Sequence, residues 1–194
     1  MPLEPAKQRF FIALLPPQPI QDYANEIKQH FADRYNSCAA QKSPPHITLQ
    51  PPFDWAVDEL PVLEQQLSEF AAEWSPIPIT LEGFATFAPR VIFINVHPTS
   101  ELLMVQQHLM LSLERNLGIT DARSKSRPFT PHMTVAFRDL TRQNFQKAWQ
   151  EFETRSLHFE FLASFLTLLI HDGHRWNCYR DFPLAESSSL SQQE

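Results

Sequence analysis

Pro131-His132-Met133-Thr134-Val135 repeats an earlier segment of the chain, Pro45-His46-Ile47-Thr48-Leu49. Successive side chains of a strand point to opposite faces, so His46 and Thr48 share one face while Ile47 and Leu49 share the other. His132 and Thr134 do the same, opposite Met133 and Val135. Each segment therefore predicts a short strand that presents an imidazole and a hydroxyl on a polar face and is anchored by hydrophobes behind. With 8 His and 10 Thr in 194 residues, chance supplies about 0.4 His-x-Thr pairs, so two bare pairs would carry little weight. The weight comes from the shared proline before each pair, the apolar residue after it, and the matching surroundings.

Those surroundings repeat as well. Arg9–Leu15, ended by Pro16-Pro17, predicts a buried strand, and Ile20, Tyr23, Ala24, Ile27 and Phe31 then recur at helical spacing. The first His-x-Thr strand is expected to stop at Pro51-Pro52. Leu60, Leu63, Leu67, Phe70 and Ala71 mark an amphipathic helix. Ile77, Ile79 and Leu81 alternate, and Ala88-Pro89-Arg90 leads into the apolar run Val91–Val96. The order then begins again. Ser100 is placed as N-cap of a helix carrying Leu102, Val105, Leu109 and Leu113, stopped by Gly118. The second His-x-Thr strand follows, then a helix capped by Thr141 with Phe145, Ala148, Trp149 and Phe152 on one face. Further strands are expected near Leu157–Phe161, Phe165–Ile170 and Asn177–Phe182.

Both halves thus run strand, helix, Pro-His-x-Thr strand, helix, strand. No Gly- or Ser-rich linker separates them, and the chain has only 3 Gly. The expected fold is α+β: a two-lobed, pseudo-symmetric duplication in which antiparallel sheets line a central cleft, helices lie outside, and each lobe contributes one histidine. Residues 1–185 form a single bilobal domain in this reading, and the Ser- and Gln-rich residues 186–194 form a loose tail.

A hydrophobic content of 43% against 20% charged residues supports a packed interior. The net charge of −6 argues against the broad basic surface that duplex DNA requires. A local basic pocket is still available, because Arg123, Lys125, Arg127 and Arg138 are close in sequence. Cys38 and Cys178 have no metal-ligand or CxxC spacing, and the apolar run FFIALL is too short for a membrane span. A cytoplasmic protein is therefore expected, and a monomer, since one chain supplies both motifs. His171 and His174 flank Asp172-Gly173, which is a hairpin-turn signal, and without a third ligand they make no zinc site. No metal or other cofactor is expected.

The segment Arg127-Pro128-Phe129-Thr130-Pro131-His132-Met133-Thr134 carries a resemblance. The chain resembles the two-histidine (2H) phosphoesterase superfamily, and within it the 2′-5′ RNA ligase or RNA 2′,3′-cyclic phosphodiesterase branch, which often leads into its second motif with Arg-Pro-Phe. The likeness runs from the first strand to the C-terminal strands. It implies an enzyme that opens 2′,3′-cyclic phosphates of RNA ends or nucleotides to 2′-phosphomonoesters without a metal. The other readings are 2′-5′ ligation and a nucleotide-binding module without turnover. Ring opening needs one group to take a proton from water and another to protonate the departing ribose oxygen, and two histidines near neutrality can hold those opposite states. The resemblance implies that His132 activates water and His46 protonates the leaving oxygen. Thr48 and Thr134 would donate hydrogen bonds to the non-bridging oxygens. Arg127 is a candidate phosphate or ribose contact, and Phe53, Trp55 and Phe129 are candidate stacking surfaces for a base. The branch commonly has an arginine five residues after the second histidine. That position is Phe137 here, and Arg138 follows it, where a regular strand would put it on the face of His132 and Thr134.

Overall fold

Eight strands and four α-helices make up the computed structural model, which describes residues 6–121 and 127–185. Arg123, Lys125 and the tail from residue 186 lie outside the described residues. The order is β1 (Lys7–Leu14), α1 (Gln18–Tyr35), β2 (Ile47–Ala56), α2 (Leu60–Ala72), β3 (Ile77–Phe87), β4 (Val91–Val96), α3 (Ser100–Leu117), β5 (His132–Ala136), α4 (Arg142–Phe152), β6 (His158–Ala163), β7 (Phe165–His171) and β8 (Trp176–Pro183).

The strands form two four-stranded antiparallel sheets, β2-β1-β7-β8 and β5-β4-β3-β6. Position by position the sheets correspond: β1 matches β4, and the His-x-Thr strands β2 and β5 occupy equivalent edges. The expected pair of antiparallel sheets is present, with one exchange. β3, which follows the first unit, pairs with β4 in the second sheet, and β7 and β8 return from the C-terminus to complete the first. The lobes are therefore not the two halves of the sequence.

Packing reinforces this exchange. Helix α1 buries Ile20, Ala24, Ile27 and Phe31 and packs on β5, whereas α3 buries Leu102, Val105, Leu109 and Leu113 and packs on β2. Each helix thus covers the histidine strand of the opposite sheet. One buried cluster joins Phe10, Leu14 and Leu49 to Ile92, Ile94 and Val135. Full burial of such a side chain contributes about 1.5–3 kcal/mol, so the two sheets depend on the same apolar interior.

Two boundaries differ from expectation. Strand β2 does not stop at Pro51-Pro52 but runs on to Ala56. It lies at a sheet edge, paired only with β1, and its register slips between Phe10 and Ile12, where the prolines sit opposite. An edge or a bulge accepts proline because the missing N–H removes no ladder bond. The N-cap of α3 is Thr99, not Ser100: Thr99 is extended and its hydroxyl accepts from the Leu102 N–H at 3.2 Å, while Ser100 begins the helix. Thr141 caps α4 as expected, accepting from the Asn144 N–H, and Gly118 closes α3 at φ 68. No helix among the described residues is long and apolar enough to cross a membrane.

Candidate active site

His46 immediately precedes β2 and His132 opens β5. Behind them Ile47, Leu49, Met133 and Val135 are fully buried, and Thr48 and Thr134 are half-buried on the imidazole side. The two rings are held alike. Nδ1 of His46 is 2.7 Å from the carbonyl oxygen of Pro44, and Nδ1 of His132 is 2.7 Å from that of Thr130. The intervening Pro45 and Pro131 keep the residue before them extended and leave its carbonyl to meet the ring. A carbonyl can only accept, so both Nδ1 atoms carry their proton and donate, and Nε2 is the nitrogen left for chemistry. Each imidazole also rests on phenylalanine: His46 on Phe11 at 4.7 Å between centroids, His132 on Phe87 at 5.0 Å and Phe93 at 5.1 Å.

Thr48 joins two adjacent cavities. One, of about 370 Å³, has His132, Phe87, Gln106, Arg127 and Phe129 in its wall. The other, of about 460 Å³, has His46, Arg9, Lys42, Arg138 and Trp176. The cleft between the histidines is thus apolar on the His132 side and basic on the His46 side.

Burial sets the charge state. Loss of hydration is the largest of the effects that bring the His46 imidazole down to about 4; the Pro44 carbonyl opposes it, and the charges of Lys28 and His132 add to it. Burial also lowers the His132 pKa. In the open cleft both rings are neutral at pH 7. Lys28 is itself unusual: it is 1% exposed on the inner face of α1, its Nζ donates to the Ser43 carbonyl at 2.9 Å, and desolvation brings it from 10.5 to about 8.

The structure therefore brings His46, Thr48, His132, Arg127 and Phe129 to one cleft. Thr134 shares the face of His132 on β5 but lies in the wall of neither cavity. Arg138 reaches the second cavity by a different route from the expected one. Strand β5 ends at Ala136, and Arg138 sits in a turn at φ 64 with its guanidinium over the Phe137 ring at 5.5 Å. Phe53 does not reach either cavity; it turns inward against Phe10, at 6.3 Å, and packs on the core. Trp55 packs there too, with Nε1 donating to the Glu59 carbonyl. His171 and His174 flank the β7–β8 turn, as expected, but that turn stands at the wall of the second cavity. Among the described residues, no three His, Cys, Asp or Glu are grouped to hold a metal.

Sequence reading missed Lys28, Gln106 and Trp176. The first two left a signal: each is a polar residue inside the apolar stripe of its helix, and Gln106 is buried with Nε2 donating to the Leu49 carbonyl of β2. Trp176 left none, because only the pairing of β7 and β8 carries it to the cleft.

Two antiparallel sheets that each set a histidine at the wall of a common cleft are the architecture of a two-histidine phosphoesterase. The chain belongs to the 2′-5′ RNA ligase superfamily, whose family model matches residues 16–175. It is 28% identical over 177 residues to the Geobacillus kaustophilus protein named "Putative phosphoesterase GK0864", covering 90% of this chain and 95% of that one. Among solved structures it is similar to TT0787 of Thermus thermophilus, with a TM-score of 0.65, 19% identity, and coverage of 92% of this chain and 99% of that chain. It is also similar to E. coli LigT, with a TM-score of 0.61, 21% identity, and coverage of 93% and 99%. LigT has also been solved complexed with 3′-AMP and with NADP+.

Proposed function

We propose that this protein is a phosphodiesterase that opens 2′,3′-cyclic phosphates of RNA ends or nucleotides to 2′-phosphomonoesters, with the two histidines as its acid and base. The observation that carries this reading is the matched hydrogen bonding of His46 and His132, which gives both rings the same tautomer and reserves both Nε2 atoms for the cleft. The LigT complexes with 3′-AMP and NADP+ support a nucleotide as the occupant of such a cleft.

In the reaction His132 Nε2 takes a proton from water as its oxygen bonds to phosphorus. The bond from phosphorus to O3′ then breaks, and His46 gives that oxygen its Nε2 proton. The product keeps the 2′-phosphate, and the histidines end with exchanged protons that solvent resets. Since both rings are neutral in the open cleft, the acid must be charged by the substrate: a phosphate anion between the rings favours the imidazolium and offsets desolvation. The Thr48 hydroxyl, which stands in the wall of both cavities, donates to a non-bridging oxygen, where negative charge accumulates. Phe129 and Arg127 receive the base and ribose beside His132.

Hydrolysis of 2′,3′-cyclic AMP by the protein and by His46→Ala and His132→Ala variants, with and without EDTA, tests the reading. Each substitution is expected to lower kcat by about 10²–10⁴-fold with unfolding transitions preserved, and EDTA is expected to change nothing. Near-normal turnover in either variant removes the acid–base pair, and loss of turnover in EDTA removes the metal-independent route.

A further inference from the structure

The cavity beside His132 is lined mostly by apolar groups, and most of its polar ones already have a task. Thr48 and His132 face the phosphate in the reading above, and the Thr130 carbonyl holds the His132 ring. Gln106 has no such task. It stands on the buried face of α3 beside Val105 and Leu109 and is 8% exposed, where a polar group is costly unless it is hydrogen-bonded. A few polar groups in an apolar pocket are what fix the orientation of a bound molecule and select among similar ones.

The Gln106 amide is only half used by the fold. Nε2 donates to the Leu49 carbonyl of β2 at 3.3 Å. A carbonyl only accepts, so this bond decides which end of the amide is nitrogen, and turning the group over would set Oε1 against the Leu49 oxygen. No described residue donates to Oε1, and it is not one of the unpartnered polar atoms that the described interior seals off. Leu49, which holds the amide, lines the same cavity, so the free oxygen opens into that cavity. Capping the Leu49 carbonyl requires the N–H alone and leaves the oxygen for a ligand.

Phe87 and Phe129 stand in the same wall and offer faces to an aromatic ring. A base against them meets an acceptor of fixed direction, with the second Nε2 hydrogen as a donor beside it. Adenine and cytosine complement that pair: the exocyclic amino group donates to Oε1, and the neighbouring ring nitrogen accepts from the N–H. Hypoxanthine, guanine and uracil carry an oxo group at the equivalent carbon. Its oxygen would face Oε1, and the amide cannot turn over to suit it. Arg127, a donor only, favours the oxo bases, but it is exposed and its guanidinium keeps its water. The larger penalty falls on the buried amide, which a mismatched base leaves unpaired.

We infer that Gln106 is a specificity-determining residue, and that the protein selects cyclic phosphates of bases with an amino group at purine C6 or pyrimidine C4 over those with an oxo group there. This rests on the cyclic phosphodiesterase reading above and on the seat it gives the base beside His132.

The test compares kcat/KM within two pairs of substrates, 2′,3′-cyclic AMP against 2′,3′-cyclic IMP and 2′,3′-cyclic CMP against 2′,3′-cyclic UMP. The amino member of each pair is expected to lead by about tenfold, the cost of one unpaired buried group. Gln106→Met is expected to bring both ratios towards one, chiefly by slowing the amino substrates. Gln106→Asn, which draws the amide back from the cavity, serves the same comparison if the methionine variant fails to fold. Equal values within each pair, or a preference for the oxo base, overturn the inference and leave the phosphodiesterase reading intact. A preference that persists in a folded variant also overturns it, because the selection then lies elsewhere in the cavity. If no substrate is hydrolysed, the phosphodiesterase reading fails, and calorimetric titration with 3′-AMP and 3′-IMP decides instead. Tighter binding of 3′-AMP that the variant abolishes supports the role of Gln106, whereas equal binding, or none, overturns it.

Discussion

Lys28→Met is expected to make the protein more stable at neutral pH, although it removes a hydrogen bond. The Lys28 ammonium is buried under α1, and its pKa falls from 10.5 to about 8 through desolvation. At about 1.4 kcal/mol per unit, the charged form costs the folded state about 3 kcal/mol at pH 7. Methionine of similar length fills the space without that cost but leaves the Ser43 carbonyl without its donor, a loss of about 1 kcal/mol. The net gain is about 2 kcal/mol, or about 4–8 °C in Tm for a chain of this size. The sign with pH follows from proton binding. Between pH 8 and 10.5 the unfolded chain keeps the lysine proton that the folded chain has lost, so wild-type stability rises across that window relative to the variant. The raised pKa of Tyr35 is present in both proteins and cancels in the difference. Urea unfolding of both at pH 7 and pH 10 measures the gap. A variant less stable than wild type at pH 7, or a gap that fails to narrow by pH 10, refutes the buried charge.

Other consequences are separately measurable. With His46 at about 4 and His132 also below the usual histidine value, the proposed acid–base pair ties kcat/KM to one ring neutral and the other protonated in the free protein. Its pH profile should peak below pH 6.5 and fall towards alkaline pH; an optimum above pH 8 would contradict the desolvated pair. Phe152→Ala removes a fully buried ring stacked on Phe31 at 4.8 Å and edge-on to Phe84 at 4.9 Å. It should cost about 3–5 kcal/mol in urea unfolding. Gly118→Ala, at φ 68 where α3 ends, should cost about 1 kcal/mol, although nothing crowds the added methyl group.

What the sequence disclosed depended on the range of the interaction. Alternation along Pro45–Leu49 and Pro131–Val135 is local, and it placed Ile47, Leu49, Met133 and Val135 in the core and the imidazoles opposite them. Helical spacing likewise marked Leu63, Leu67, Phe145 and Ala148 as buried. Boundaries set by partners were less legible. Pro51-Pro52 reads as a strand end until β2 is known to lie at an edge, and Arg138 reads as part of β5 until the chain turns at φ 64. Phe53 flanks a motif in sequence, yet the slipped register of β2 turns it towards Phe10.

The least legible feature is also the one that makes the cleft a single site. A duplicated chain suggests two lobes folded on themselves, each with its own helix over its own histidine strand. Instead α1 packs on β5, α3 packs on β2, and β3 leaves the first unit to pair with β4. Buried contacts of this kind join residues far apart in sequence, so no periodicity records them. Their effect is mechanical. His46 is positioned by β1 and the loop tied to Lys28 of α1, while α1 also supports the strand that begins with His132. A separation of the two histidines would then have to open the one core cluster that both sheets share. Close packing resists such opening, and the gap between the imidazoles is set by the interior of the protein before any ligand enters it.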